Sequence, residues 1–121
     1  MRVGITAMLC ALTAAAPASA APAIATCGGP GDGWKTTRSD PGLQVNLVVL
    51  NDSGTQPTWN GITVTEQQVR QYVGITAQMK PVPVFVLVVS PHADCGEASA
   101  YRKMASELLN CEQGKCVEVD P

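Results

Sequence analysis

The chain lacks an apolar run long enough to cross a membrane. A spanning helix needs about 20 apolar residues, and the longest candidate, Val3 to Ala16, is shorter. Stable membrane insertion is therefore not expected. A basic patch is also lacking: Lys and Arg number 8 against 10 Asp and Glu, for a net charge of −2. Nucleic acid is not an expected partner of such a surface. Aromatic residues are limited to Trp34, Trp59, Tyr72, Phe85 and Tyr101, so Val, Leu, Ile and Met must build most of the core. No Gly-x-Ser-x-Gly elbow and no Cys-x-x-Cys pair occurs, which removes the usual signatures of α/β-hydrolases and thiol oxidoreductases. Ser90, His92 and Asp94 are the residue types of a hydrolase triad. Three residues within five positions do not readily converge as nucleophile, base and orienter. The expectation is a non-enzymatic protein with no cofactor.

What is present starts with export. Met1-Arg2 supplies a positive charge, Val3 to Ala16 a short apolar core, and Ala18-Ser19-Ala20 a small-residue exit. These are the three parts of a secretory signal peptide. The reading is a signal peptide over 1–20, cleaved after Ala20, and a periplasmic protein. The remainder is about 100 residues, one small domain. Cys10 leaves with the signal peptide, and Cys27, Cys95, Cys111 and Cys116 remain. An even count in a small exported domain reads as two disulfides, with three possible pairings.

Residues 21–42 read as a flexible Gly/Pro-rich leader. Gly28-Gly29-Pro30-Gly31-Asp32-Gly33 suits neither helix nor regular strand. It is not a phosphate loop, because no strand precedes it and no Lys-Ser/Thr pair follows. Order is expected to begin near Leu43 and to run to Pro121. Gln44 to Leu50 reads as a strand, Asn51 to Gly54 as a turn, and Thr55 to Trp59 as a second strand made an edge by Pro57. Asn60-Gly61 is a turn signal, and Ile62 to Val64 continues extended. Thr65-Glu66-Gln67-Gln68 has the form of a capping box, flanked by Val64 and Val69 at staple positions. Val69, Tyr72, Val73 and Thr76 then make an amphipathic stripe, ended by Pro81 and Pro83.

Val84 to Val89 is apolar throughout and too short for a typical helix, so it reads as a strand covered on both faces. Ser90 to Glu97 reads as a polar loop. Ser99 to Asn110 reads as a helix with Tyr101, Met104, Ala105 and Leu108 on one face, and Lys115 to Val119 as a final strand. Right-handed crossovers through the helices connect strands that can run parallel. The expected fold is α+β: a small mixed β-sheet with two helices packed on one face, disulfide-stapled.

That order resembles the periplasmic domain of the ExbD/TolR family of biopolymer transport proteins. The likeness rests on Leu43–Leu50, Gly54, Asn60-Gly61, Val64-Thr65-Glu66, Pro83–Val89, Tyr101 through Leu109, and Val117–Val119. The resemblance implies an interaction domain of an envelope energy-transducing system. Members of the family are anchored by a transmembrane helix that carries an essential Asp. No acidic residue lies between Met1 and Ala25 here, and a proton relay needs an ionisable group inside the bilayer. The motor role therefore does not carry over. Expected partners are an envelope protein or a cell-wall component, or a second copy met through an edge strand.

Two sulfur-based readings compete. His92, Cys95, Cys111 and Cys116 have spacings within the loose range of zinc sites, and a small exported enzyme or metal-binding protein using them is the alternative. Disulfides suit an exported chain better. Cys95 precedes the second helix and Cys111 follows it, so their ends stand about 15 Å apart. Bridged Cα atoms need about 4.4–6.8 Å. Cys111 can meet Cys116 across a short turn, which leaves Cys27 for Cys95.

Overall fold

A computed structural model describes residues 26–37 and 44–121 of the chain. The expected signal peptide, 1–20, lies outside the described residues. The elements are β1 (Val45–Leu50), β2 (Thr58–Trp59), β3 (Ile62–Thr63), α1 (Glu66–Thr76), β4 (Val84–Val89), α2 (Cys95–Leu108) and β5 (Cys116–Val119). They form one mixed sheet in the order β3-β2-β1-β4-β5. β1 runs parallel to β4, with Val45 opposite Val84 and Leu50 opposite Val89. β4 runs parallel to β5, with Val86 opposite Val117. β2 and β3 are antiparallel additions beyond β1. This is the expected α+β fold.

Alternation decides which side chains meet the helices. Val48 and Leu50 of β1, and Phe85, Leu87 and Val89 of β4, pack with Val69, Val73, Ala98, Tyr101, Met104 and Ala105 in one core. Successive strand side chains point to opposite faces. Val84, Val86 and Val117 accordingly form a second cluster on the other face, with Val45, Leu47, Val88 and Val119 packed around it. β4 is buried on both faces because parallel neighbours flank it.

α1 starts as its sequence dictates. The Gln68 amide donates to Thr65 Oγ1 at 3.2 Å, and the Thr65 amide donates to Gln68 Oε1 at 2.9 Å. α2 begins four residues earlier than Ser99, at Cys95. Asp94 caps it by accepting from the Glu97 amide at 2.9 Å. Leu108, expected on the core face, is 41% exposed, and Leu109 beyond the helix end is buried instead. The chain leaves the helix in extended conformation at Leu109, which turns that side chain inward.

Asn60 and Gly61 make the β2–β3 turn with φ of 50° and 86°. Positive φ at both central positions is what a two-residue hairpin of the right twist requires. Asn60 also locks the hairpin to β1. Its amide donates to the Leu47 carbonyl at 2.8 Å, its Oδ1 accepts from the Leu47 amide at 2.7 Å, and its Nδ2 donates to Asn46 Oδ1 at 3.2 Å.

The Gly/Pro-rich segment corrects one expectation. Order does not begin near Leu43: residues 26–37 of the expected flexible leader are packed against the domain. Trp34 is only 9% exposed and meets Phe85 edge-on with ring centroids 6.1 Å apart. Its Nε1 donates to Ser106 Oγ at 3.0 Å. A buried Trp of this kind brings a large apolar area and a satisfied N–H together. Lys35 then joins the sheet beside β5. Its amide donates to the Cys116 carbonyl at 3.0 Å, and the Glu118 amide donates to its carbonyl at 2.9 Å. Gly33 allows this approach: at φ +79° a side chain is strained, and a Cβ would sit 3.3 Å from the Glu112 backbone.

Candidate functional site

Cys27, Cys95, Cys111 and Cys116 form the two expected bridges. Cys27 pairs with Cys95 at a Cα separation of 5.1 Å, and Cys111 pairs with Cys116 at 4.7 Å. α2 has 14 residues and so holds its ends about 20 Å apart, which keeps Cys95 away from Cys111. Loop closure puts the long bridge at about 4 kcal/mol and the short one at about 2 kcal/mol. Because all four sulfurs are bonded to sulfur, none is a thiolate ligand in this structure. Non-reducing peptide mapping should recover two linked pairs, Cys27 with Cys95 and Cys111 with Cys116. A Cys95–Cys111 peptide would contradict both the pairing and the position of α2.

The polar loop before α2 arranges its residues for structure. The Ser90 hydroxyl donates to Asp52 Oδ1 at 2.7 Å. His92 approaches Ser90 with its backbone amide, which donates to Ser90 Oγ at 3.3 Å. Asp94 is occupied as the α2 cap. Ser90, His92 and Asp94 are thus neighbours that tie the loop to the β1–β2 turn, without an imidazole-to-hydroxyl bond.

Two features were not read from the sequence. Arg102 and Glu118 are buried, at 8% and 7% exposure. Arg102 Nε donates to Glu118 Oε1 at 2.6 Å and Nη2 to Oε2 at 2.9 Å, while Nη1 donates to the Cys27 carbonyl at 2.9 Å. One guanidinium therefore joins α2, β5 and the N-terminal segment beside the long disulfide. The signal for it was period 2 in β5: with Val117 on the outer face, Glu118 had to point toward the helices. The second feature is Tyr101, fully buried with a hydroxyl that meets no hydrogen-bond partner among the described residues. Burial, then Glu97, then Glu66 push its pKa up, so the phenol stays protonated. Glu97 itself is raised by burial first, then by Asp94 and Glu66.

Among the described residues the sheet has one open edge. On the β5 side, Lys35 occupies the ladder. On the opposite side β3 has no further strand, and Ile62 is 70% exposed. In β3 and its extension, the Val64 amide is directed inward, donating to the Pro57 carbonyl at 3.0 Å. Backbone groups alternate along a strand, so the Thr63 amide faces out from the edge. Among the described residues no helix is long and apolar enough to cross a membrane, and no cluster of three His, Cys, Asp or Glu is placed to hold a metal. Comparison of the chain with protein-family models, curated proteins and solved structures finds no match.

Proposed function

We propose that this chain is a non-enzymatic periplasmic interaction domain, similar to the soluble region of ExbD/TolR envelope proteins. It recruits an extended segment of an envelope partner onto β3. The observation that carries this reading is the asymmetry of the sheet: β3 is open and bears an exposed Ile62, whereas the β5 edge is taken by Lys35. Strand addition draws affinity from backbone hydrogen bonds and selectivity from alternate side chains. The disulfides and the signal-like N-terminus support export to an oxidising compartment.

The test uses tagged chain expressed with its own N-terminus. Intact mass should show Ala21 as the first residue of the periplasmic protein. Crosslinked capture from the native envelope should return a partner whose recovery falls at least tenfold with Thr63→Pro. That substitution removes an outward N–H and leaves the inner ladder intact. Equal recovery by wild type and T63P would end the edge-recruitment reading. A retained Met1 in the membrane fraction would end the exported one.

A further inference from the structure

The two disulfides differ in what surrounds them, and the difference is independent of β3. Cys111 and Cys116 are 5% and 0% exposed and belong to the main core. Cys95 is exposed, and Cys27 is partly buried against that core. The approach to the long bridge is open as well. Each of its cysteines is followed by a glycine, Gly28 and Gly96. Among the described residues outside the adjoining chain, a Cβ at Gly28 would meet nothing within 4 Å. One at Gly96 would meet only Asp94 Oδ1, at 3.1 Å.

Thiol–disulfide exchange needs a thiolate to reach one sulfur of the bond, so access governs its rate together with the ionised fraction of the attacker. Cys95 offers that access; Cys111 and Cys116 do not. Cys95 is the first residue of α2, where free amides of the first turn favour negative charge on sulfur. Asp94 and Glu97 oppose them with two carboxylates. With these effects opposed, the rate follows the ionised fraction of the incoming thiol.

Opening this bond leaves the N-terminal segment other anchors. Trp34 is held on Ser106 and Lys35 on β5. Arg102 Nη1 donates to the Cys27 carbonyl at 2.9 Å, which keeps Cys27 seated on α2. The two sulfurs therefore stay within reach of each other, and closure is an intramolecular step.

We infer that Cys27–Cys95 is a reversible thiol-exchange site, attacked at Cys95 by an external thiol, while Cys111–Cys116 is a permanent staple. The incoming thiolate forms a bond to Cys95 Sγ as the Cys95–Cys27 bond breaks. The electron pair leaves on Cys27 Sγ, which takes a proton from solvent. A second thiolate attacks the external sulfur of this mixed disulfide. It releases Cys95 as a thiolate and departs as an external disulfide, so two thiols are oxidised and one bridge is reduced. Attack by Cys27 on Cys95 Sγ reverses the first step. The thiol belongs either to a small molecule or to a cysteine of another protein.

The test mixes oxidised, exported protein with reduced glutathione, or with reduced thioredoxin at equal thiolate concentration, without denaturant. Samples are quenched in acid, alkylated and peptide-mapped over time. Cys27 and Cys95 should become alkylated at least tenfold faster than Cys111 and Cys116, at a rate linear in thiol. The first glutathione adduct should lie on Cys95. In the reduced protein, and in Cys27→Ser with Cys95→Ser, the Trp34 indole and Lys35 amide should keep their NMR positions. Faster opening by thioredoxin assigns the thiol to a protein; equal or slower opening assigns it to a small molecule. Equal rates for the two bridges, or a rate that stops rising with thiol and so reports unfolding, would overturn the inference. So would a first adduct on Cys27, or loss of the Trp34 contact on reduction.

Discussion

Replacing Arg102 with Met should destabilise the domain by about 3–5 kcal/mol, the size found when a buried ion pair loses one partner. The Glu118 carboxylate lies 2.6 Å from Arg102 Nε and is itself buried. Without the guanidinium it keeps its desolvation cost and loses its counter-charge. The Cys27 carbonyl loses a charge-assisted donor at the same time. Urea unfolding of oxidised protein measures the loss. The double variant Arg102→Met with Glu118→Leu should recover most of it, since neither charge then remains buried. An Arg102→Met loss under about 1 kcal/mol, the range of exposed pairs, would show that the pair is solvated in solution.

Val86→Asp should have an effect of similar size. Val86 is 1% exposed, and its register neighbours are Leu47 on β1 and Val117 on β5. Nothing charged belongs to the cluster of Val84, Val86 and Val117. A carboxyl placed there either ionises without a partner or takes up a proton, and both are costly. A loss of about 4 kcal/mol lowers Tm by roughly 15–30 °C in a domain of this size. Val86→Thr keeps the shape and adds one hydroxyl, so it should cost less, about 1–3 kcal/mol. Thermal unfolding followed by circular dichroism checks both. An unchanged Tm in Val86→Asp would mean that this face of β4 is open to water.

The parts legible from the sequence were those with a strong local signal. β4 showed itself by unbroken apolarity, α1 by its capping box, and the β2–β3 turn by Asn60-Gly61. The disulfide pairing followed from helix length and the short turn between Cys111 and Cys116, which left Cys27 for Cys95, and it stands although α2 begins at Cys95 rather than Ser99. That start was missed because Cys95, Gly96 and Glu97 carry no apolar stripe, and the signal lay in the single cap Asp94. Trp34 and Lys35 were missed for a different reason. A glycine-rich segment has no periodicity, and its docking is dictated by one aromatic ring and two backbone bonds to β5. Arg102 and Glu118 were hidden because charged residues ordinarily face solvent.

Lys35 on β5 has a further consequence, which concerns stoichiometry. A sheet with two free margins can add a strand at each and so propagate from copy to copy, the route to fibres. Here one margin is already occupied within the same chain. Among the described residues this leaves β3 as the margin without such a bridge, so the recruitment proposed above would use that side alone. On that recruitment reading, partners would be taken singly, and the protein would form discrete complexes instead of growing polymers.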